Sequence, residues 1–221
     1  MLYDVSDLKK EIRVAMDENV DNASESIMND NGTLSLDVLI ESKIEDSARM
    51  VVEEAPLSLL GAGVPFSRSV SWFGDKGKSG GFILLPDDFL RLVAFQMSDW
   101  ERAVHQAIDV LHPLYRLQSS RYGGLRGNPE RPVAAIVNKG IGLALEFYSC
   151  IGGEGVTIKQ ATYIPEPKIQ AGKIGMSHKI KRAVVCCTAA LTAETLGDKD
   201  LAGILNKTWK DLLSYTQNGV S

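Results

Sequence analysis

The sequence predicts an α+β fold: a helical bundle formed by the N- and C-terminal helices, with a mainly antiparallel β-rich segment inserted between them. Three observations carry this. Near the N-terminus apolar residues recur every three or four positions, first Val5, Leu8, Ile12 and Met16, then Leu36, Leu39, Ile40, Ile44, Ala48, Val51 and Val52. That spacing lines one face of a helix. Beyond residue 57 the rhythm gives way to short apolar runs punctuated by Gly and Pro, which is the pattern of strands and turns. Towards the C-terminus the helical spacing returns with Ile180, Val184, Cys187 and Leu191, then Leu201, Ile204, Leu205, Trp209 and Leu212. The expected organisation is one domain over 1–221, with a helical body at 1–56 and 175–221 and a β-rich insertion at 57–174.

Taken in order, the helix over 5–16 has Asp4 or Ser6 available as its cap. A polar stretch at 21–32 interrupts the pattern. The next helix, 36–52, has Thr33 or Ser35 to start it and Pro56 just past its end. Strands are expected at 67–73 and 81–85 around a Gly/Lys-rich connection, at 90–100, at 132–137 and 143–149 around the turn Asn138-Lys139-Gly140, and at 157–164 before Pro165 and Pro167. Residues 90–110 admit a helix as well, because short apolar runs read alike in both. Near the C-terminus Gly197 stands where one helix should stop, and Asp198 and Asp200 favour the start of the next through its dipole.

The chain of 221 residues is long enough to bury a substantial core. With 28 acidic against 24 basic residues it carries a net charge of -4 and lacks the basic excess of a protein that grips nucleic acid by its phosphates. A surface that DNA slides past remains compatible with that charge. The three cysteines, Cys150, Cys186 and Cys187, are odd in number, and the last two adjoin in a helical stretch where neighbours point about 100° apart. They read as free thiols in a reducing compartment. No signal peptide is expected from Met1-Leu2-Tyr3-Asp4, and no run approaches the ~18 apolar residues of a membrane span.

Candidate chemistry thins out on inspection. Gly77-Lys78-Ser79 matches the end of a phosphate-binding loop, but Trp72 stands where the motif needs its first Gly, and a strand-like run follows where it needs a helix. A hairpin tip fits better, with a nucleotide-binding enzyme kept as the alternative of another class. His105, His112 and His178 lack zinc-site spacing. Cys150 has no base beside it in sequence, and the pairs Glu53-Glu54 and Asp87-Asp88 do not converge. No catalytic residue, cofactor or metal is therefore assigned. The informative segment is 115–132, which sets Tyr115, Arg116, Arg121, Tyr122, Arg126 and Arg131 among Gly and Pro. Arg and Tyr supply large area and planar hydrogen bonding, so these six are the protein-contact candidates. Trp209 joins them as a possible docking residue of the last helix, where a core role also fits.

The order of several strings is familiar: Pro86-Asp87-Asp88-Phe89-Leu90-Arg91-Leu92-Val93, Trp100, Tyr115 with Gln118, Gly127-Asn128-Pro129, Arg131-Pro132-Val133, Leu145-Glu146-Phe147-Tyr148-Ser149 and Tyr163-Ile164-Pro165. Over residues 36–213 the chain resembles the head–tail connector (adaptor or ring) proteins of short-tailed bacteriophages, most of all those of crAss-like gut phages. The resemblance implies a virion structural protein at the capsid–tail junction, assembled in the host cytoplasm. It implies copies in a ring, commonly twelve, docked on the portal protein and offering a platform to the next tail or ring protein. Genomic DNA would pass through the lumen without sequence-specific binding. A tail-terminator or other tail ring is the alternative within that class.

Overall fold

The computed structural model describes residues 1–16, 35–73, 80–120, 122–150 and 155–214. In chain order these form β1 (Leu2–Asp4), α1 (Val5–Ala15), α2 (Leu36–Glu54), a short α3 (Leu57–Leu60), β2 (Val64–Pro65), β3 (Ser71–Trp72), β4 (Gly81–Leu84), β5 (Phe89–Met97), a short α4 (Pro113–Leu117), β6 (Ala134–Asn138), β7 (Leu143–Phe147), β8 (Ile158–Pro165), β9 (Ile169–Gln170), β10 (Lys173–Gly175), α5 (Lys181–Leu196) and α6 (Lys199–Ser214). The named strands pair antiparallel, and the class is mixed α+β. The chain divides into two compact units, Met1–Gly61 with Pro167–Ser221, and Ala62–Glu166.

In the helical unit α5 is the hub and packs against α6, α2 and α1. Ten of its sixteen residues are buried, among them Ala183, Ala189, Ala190 and Ala193, whose small side chains let the neighbouring helices come close. Two buried hydroxyls face each other across the α2–α5 seam, Ser47 Oγ and Thr188 Oγ1 at 2.5 Å; one donates to the other, which in turn donates to a carbonyl of its own helix, Ile44 or Val184, so both are satisfied away from water. The helix ends follow the sequence signals. Ser35 Oγ accepts the Val38 N–H, Gly197 closes α5 at φ 88°, and Asp198 Oδ1 accepts the Leu201 N–H at 3.0 Å. Asp4 occupies the cap position of α1 without a side-chain bond to the helix, its carboxylate lying 3.6 Å from Lys173 Nζ instead. A small sheet in the order β1-β10-β9 completes the unit. Its hairpin turns at Ala171 and Gly172, both at positive φ (50° and 74°).

The other unit holds two sheets, β2-β8-β5 and β3-β4-β7-β6. A core of Ile83, Leu85, Leu92, Phe95, Met97, Trp100, Leu145, Phe147 and Ala161 joins residues of both sheets. Phe147 sits at its centre, with ring centroids of Phe95, Trp100 and Trp72 at 5.6, 6.3 and 5.6 Å. In the run that admitted a helix at 90–110, the first part is the strand β5, whose pairing with β8 carries register shifts that bend it, and residues 98–110 hold only isolated bridges at Val104 and Ile108. The strand expected at 67–73 is only Ser71–Trp72. The chain reaches this unit through β2 and leaves it through β8, and these two strands pair, Val64 with Tyr163 and Pro65 with Thr162.

Candidate protein-contact surface

The four-stranded sheet has a second apolar face. Strand alternation puts Ala135, Val137 and Ala144 there, with Phe82, Leu84 and Tyr148 around them. The connection from β5 to β6 crosses this face as an arch. Ile108 pairs in parallel with Ala135, the Ile108 N–H donating to the Ala134 carbonyl at 2.9 Å and the Ile136 N–H to the Ile108 carbonyl at 2.9 Å. Asp109 Oδ1 then accepts the N–H groups of Leu111 and His112 at 2.7 and 2.8 Å, turning the chain into α4. His112 accepts the Leu114 N–H, and Pro113 opens the helix with its fixed φ.

Three braces hold the arch. Gln118 is buried; it donates to the Leu114 carbonyl at 2.9 Å and accepts the Gly127 N–H at 2.8 Å, so the two ends of the arch share one side chain. Ser149 Oγ accepts the Val133 N–H at 2.9 Å and lies where a Cβ on residue 127 would stand, which is why that position is glycine. The third brace is Glu146, 4% exposed. Its carboxylate pairs with Lys139 and accepts the hydroxyls of Tyr148 and Tyr115, the latter at 3.3 Å. Burial first, then Glu146 itself, pushes the Tyr148 hydroxyl far above its ordinary range and keeps it a donor.

Beyond Asp109 the braced arch presents several large apolar side chains outward. Leu111 is 87% exposed, and Val110, Leu114, Leu117, Tyr122 and Leu125 are exposed beside it in sequence. Residues 110–129 contain three Arg and no Asp or Glu. Rigid, exposed aliphatic side chains with cations among them are the makings of a docking surface.

The contact candidates divide accordingly. Arg116, Tyr122 and Arg131 are exposed. Arg126 is half-buried, and its Nε is buried without a hydrogen-bond partner among the described residues. Tyr115 is turned in towards Glu146 and serves the brace. Arg121 and the Gly77-Lys78-Ser79 loop lie outside the described residues. Trp209 is not available to a partner: it is 1% exposed in the helical core and donates to Asn206 Oδ1 at 3.0 Å. The exposed leucines escaped the sequence reading because leucine defaults to the core. So did Glu146, although an acid in the apolar run Leu143-Ala144-Leu145-Glu146-Phe147 is itself a signal.

Elsewhere the candidate chemistry lies apart. His105 Nδ1 bonds the Val93 carbonyl at 2.8 Å, His112 caps α4, and His178 lies in the turn before α5. Among the described residues no group of three or more His, Cys, Asp or Glu is gathered as a metal would need. Burial and then Asp99 push the Cys150 thiol up to about 12, the wrong direction for a nucleophile. No family model matches this chain, and no curated protein matches it.

Proposed function

We propose that this chain is a structural assembly protein rather than an enzyme, a head–tail connector subunit of a short-tailed phage that docks on the portal and extends the DNA channel towards the tail. The observation that supports an assembly role is the exposed aliphatic cluster at 110–125 on the braced arch. Such a surface suits a protein partner. The choice of a connector rests on the resemblance carried by residues 36–213. In this reading the copies form a ring in the virion, and the next tail or ring protein meets its far side. The test is light scattering on a size-exclusion column, with the protein alone and then with the portal ring of its own phage. A shift of the portal peak to higher mass in fixed stoichiometry is the expected result. An unshifted portal peak with the protein at ~100 μM would remove the portal-adaptor reading.

A further inference from the structure

Helices α1 and α6 both pack on α5, and an open groove of about 600 Å³ lies between them. Val185 and Cys186 of α5 form its floor, with Val14 of α1 and Leu205 of α6 on its two sides. Val14 is 65% exposed, while Val5, Leu8 and Ile12 of the same helix are buried, so it is not part of the core stripe of α1. Four charged residues line the groove, and three of them are cations: Lys10, Lys181 and Arg182 against Glu11. Glu11 pairs with Lys181 at 2.5 Å, and Lys10 with the exposed Asp7 at 3.1 Å. Arg182 is exposed and forms no ion pair or hydrogen bond with the described residues. Its charge reaches the floor: burial raises the Cys186 thiol, and Arg182 acts in the opposite direction. Even with Asp7 counted, the rim keeps a cation in excess, in a unit that is acidic as a whole.

We propose that this groove takes an acidic amphipathic helix of a partner protein, its apolar stripe on Val14, Val185 and Leu205 and its carboxylates towards Arg182 and Lys10. A helix suits the shape, because the groove runs between two helices over a third, where a further member of the bundle would lie. An extended segment suits it less well, since every residue lining the groove belongs to a helix and none to a sheet edge. An acid is the matching charge, because Arg182 is left to be paired and Lys10 holds only a solvent-exposed pair that is worth little. The inference concerns the helical unit alone and depends on neither the arch nor the connector assignment.

Fluorescence anisotropy on the full chain decides it, with two labelled designed peptides of about five helical turns. Both carry Leu at spacings of three and four; the other face is Glu in one and Lys in the other. Wild type should bind the Glu peptide with a Kd below ~100 μM, about 10-fold or more tighter than the Lys peptide, and more weakly as salt is added. Arg182→Glu should cost about 10-fold in that affinity. The change sits in the first turn of α5, where an acid suits the helix dipole, and circular dichroism checks that the fold is kept. Val14→Ser should weaken binding of the Glu peptide through the apolar stripe. Lys10→Glu with Arg182→Glu should turn the preference to the Lys peptide, a gain that damage to the fold would not produce. Wild type that binds neither peptide at ~100 μM, or binds both alike, overturns the proposal, and so does a double variant that keeps the wild-type preference. Residues 17–34 hold five acids and no base. If the Glu peptide binds only a chain in which 17–34 is replaced by Gly and Ser at equal length, the groove belongs to the chain's own acidic segment and the partner helix is ruled out.

Discussion

Glu146 is the one buried residue among the described Asp, Glu, Lys, Arg and His, and it sits at the joint between arch and sheet. A buried carboxylate is tolerable only while its partners stay. Lys139→Ala should lower stability by about 1–3 kcal/mol in urea unfolding, since Lys139 is partly solvated and its share of the pair is screened. The joint replacement Lys139→Met with Glu146→Gln should cost less than the single change, because it removes the stranded charge. A second residue works the other way. Ala171 stands at φ 50°, in a turn that favours Asn or Gly, so Ala171→Gly should raise stability by about 0.5–1 kcal/mol in the same assay. The thiols give a pH signature. Cys150 is raised from 9.0 to about 12, so the folded state keeps a proton that the unfolded chain releases in between. That contribution is fully present below pH 9.0, is lost as pH rises towards about 12, and is shared by Cys187, which burial also raises to about 12. Urea midpoints taken up this range should fall, and the fall should be shallower in Cys150→Ala.

Among the elements, the arch depends on Gly127 through packing alone. Its φ lies outside the left-handed region, but a Cβ there meets Ser149 Oγ and the Val133 backbone. Gly127→Ala should therefore destabilise by about 1–3 kcal/mol and raise amide exchange over 113–131 before it touches the helical unit. The elements also show which local signals carry tertiary information. Helix α1 was legible because one face of it is buried, and Val5, Leu8 and Ile12 record that face. The run in α5 gave a helix but not its environment: Ile180, Val184, Cys187 and Leu191 suggested one stripe, whereas burial surrounds the helix on nearly every side. Strand β5 stayed ambiguous with helix because both faces of its second half are buried, which erases the alternation that distinguishes a strand. Strands β9 and β10 are two and three residues long, too short for any period to show. The arch was visible as composition, Arg and Tyr among Gly and Pro, but two of its three braces come from residues outside it in sequence, Glu146 and Ser149.

At the scale of the whole molecule, charge is shared unevenly. The unit Ala62–Glu166 contains eleven Lys and Arg against ten Asp and Glu, so the excess acid of the chain lies in the helical unit. The pairing of β2 with β8 gives the molecule a further property. Both ends of the second unit lie one strand spacing apart, so a helical unit with 62–166 excised and a short Gly/Ser bridge from Gly61 to Pro167 should fold, with its helical circular dichroism and a cooperative melt intact. A bridged protein without cooperative unfolding would show that the helices need the sheets. The same neighbouring ends make the second unit an exchangeable cassette. A gene that gains, loses or swaps the stretch between Gly61 and Pro167 changes the β-rich unit while the helical scaffold is inherited whole, so the two are free to evolve at separate rates.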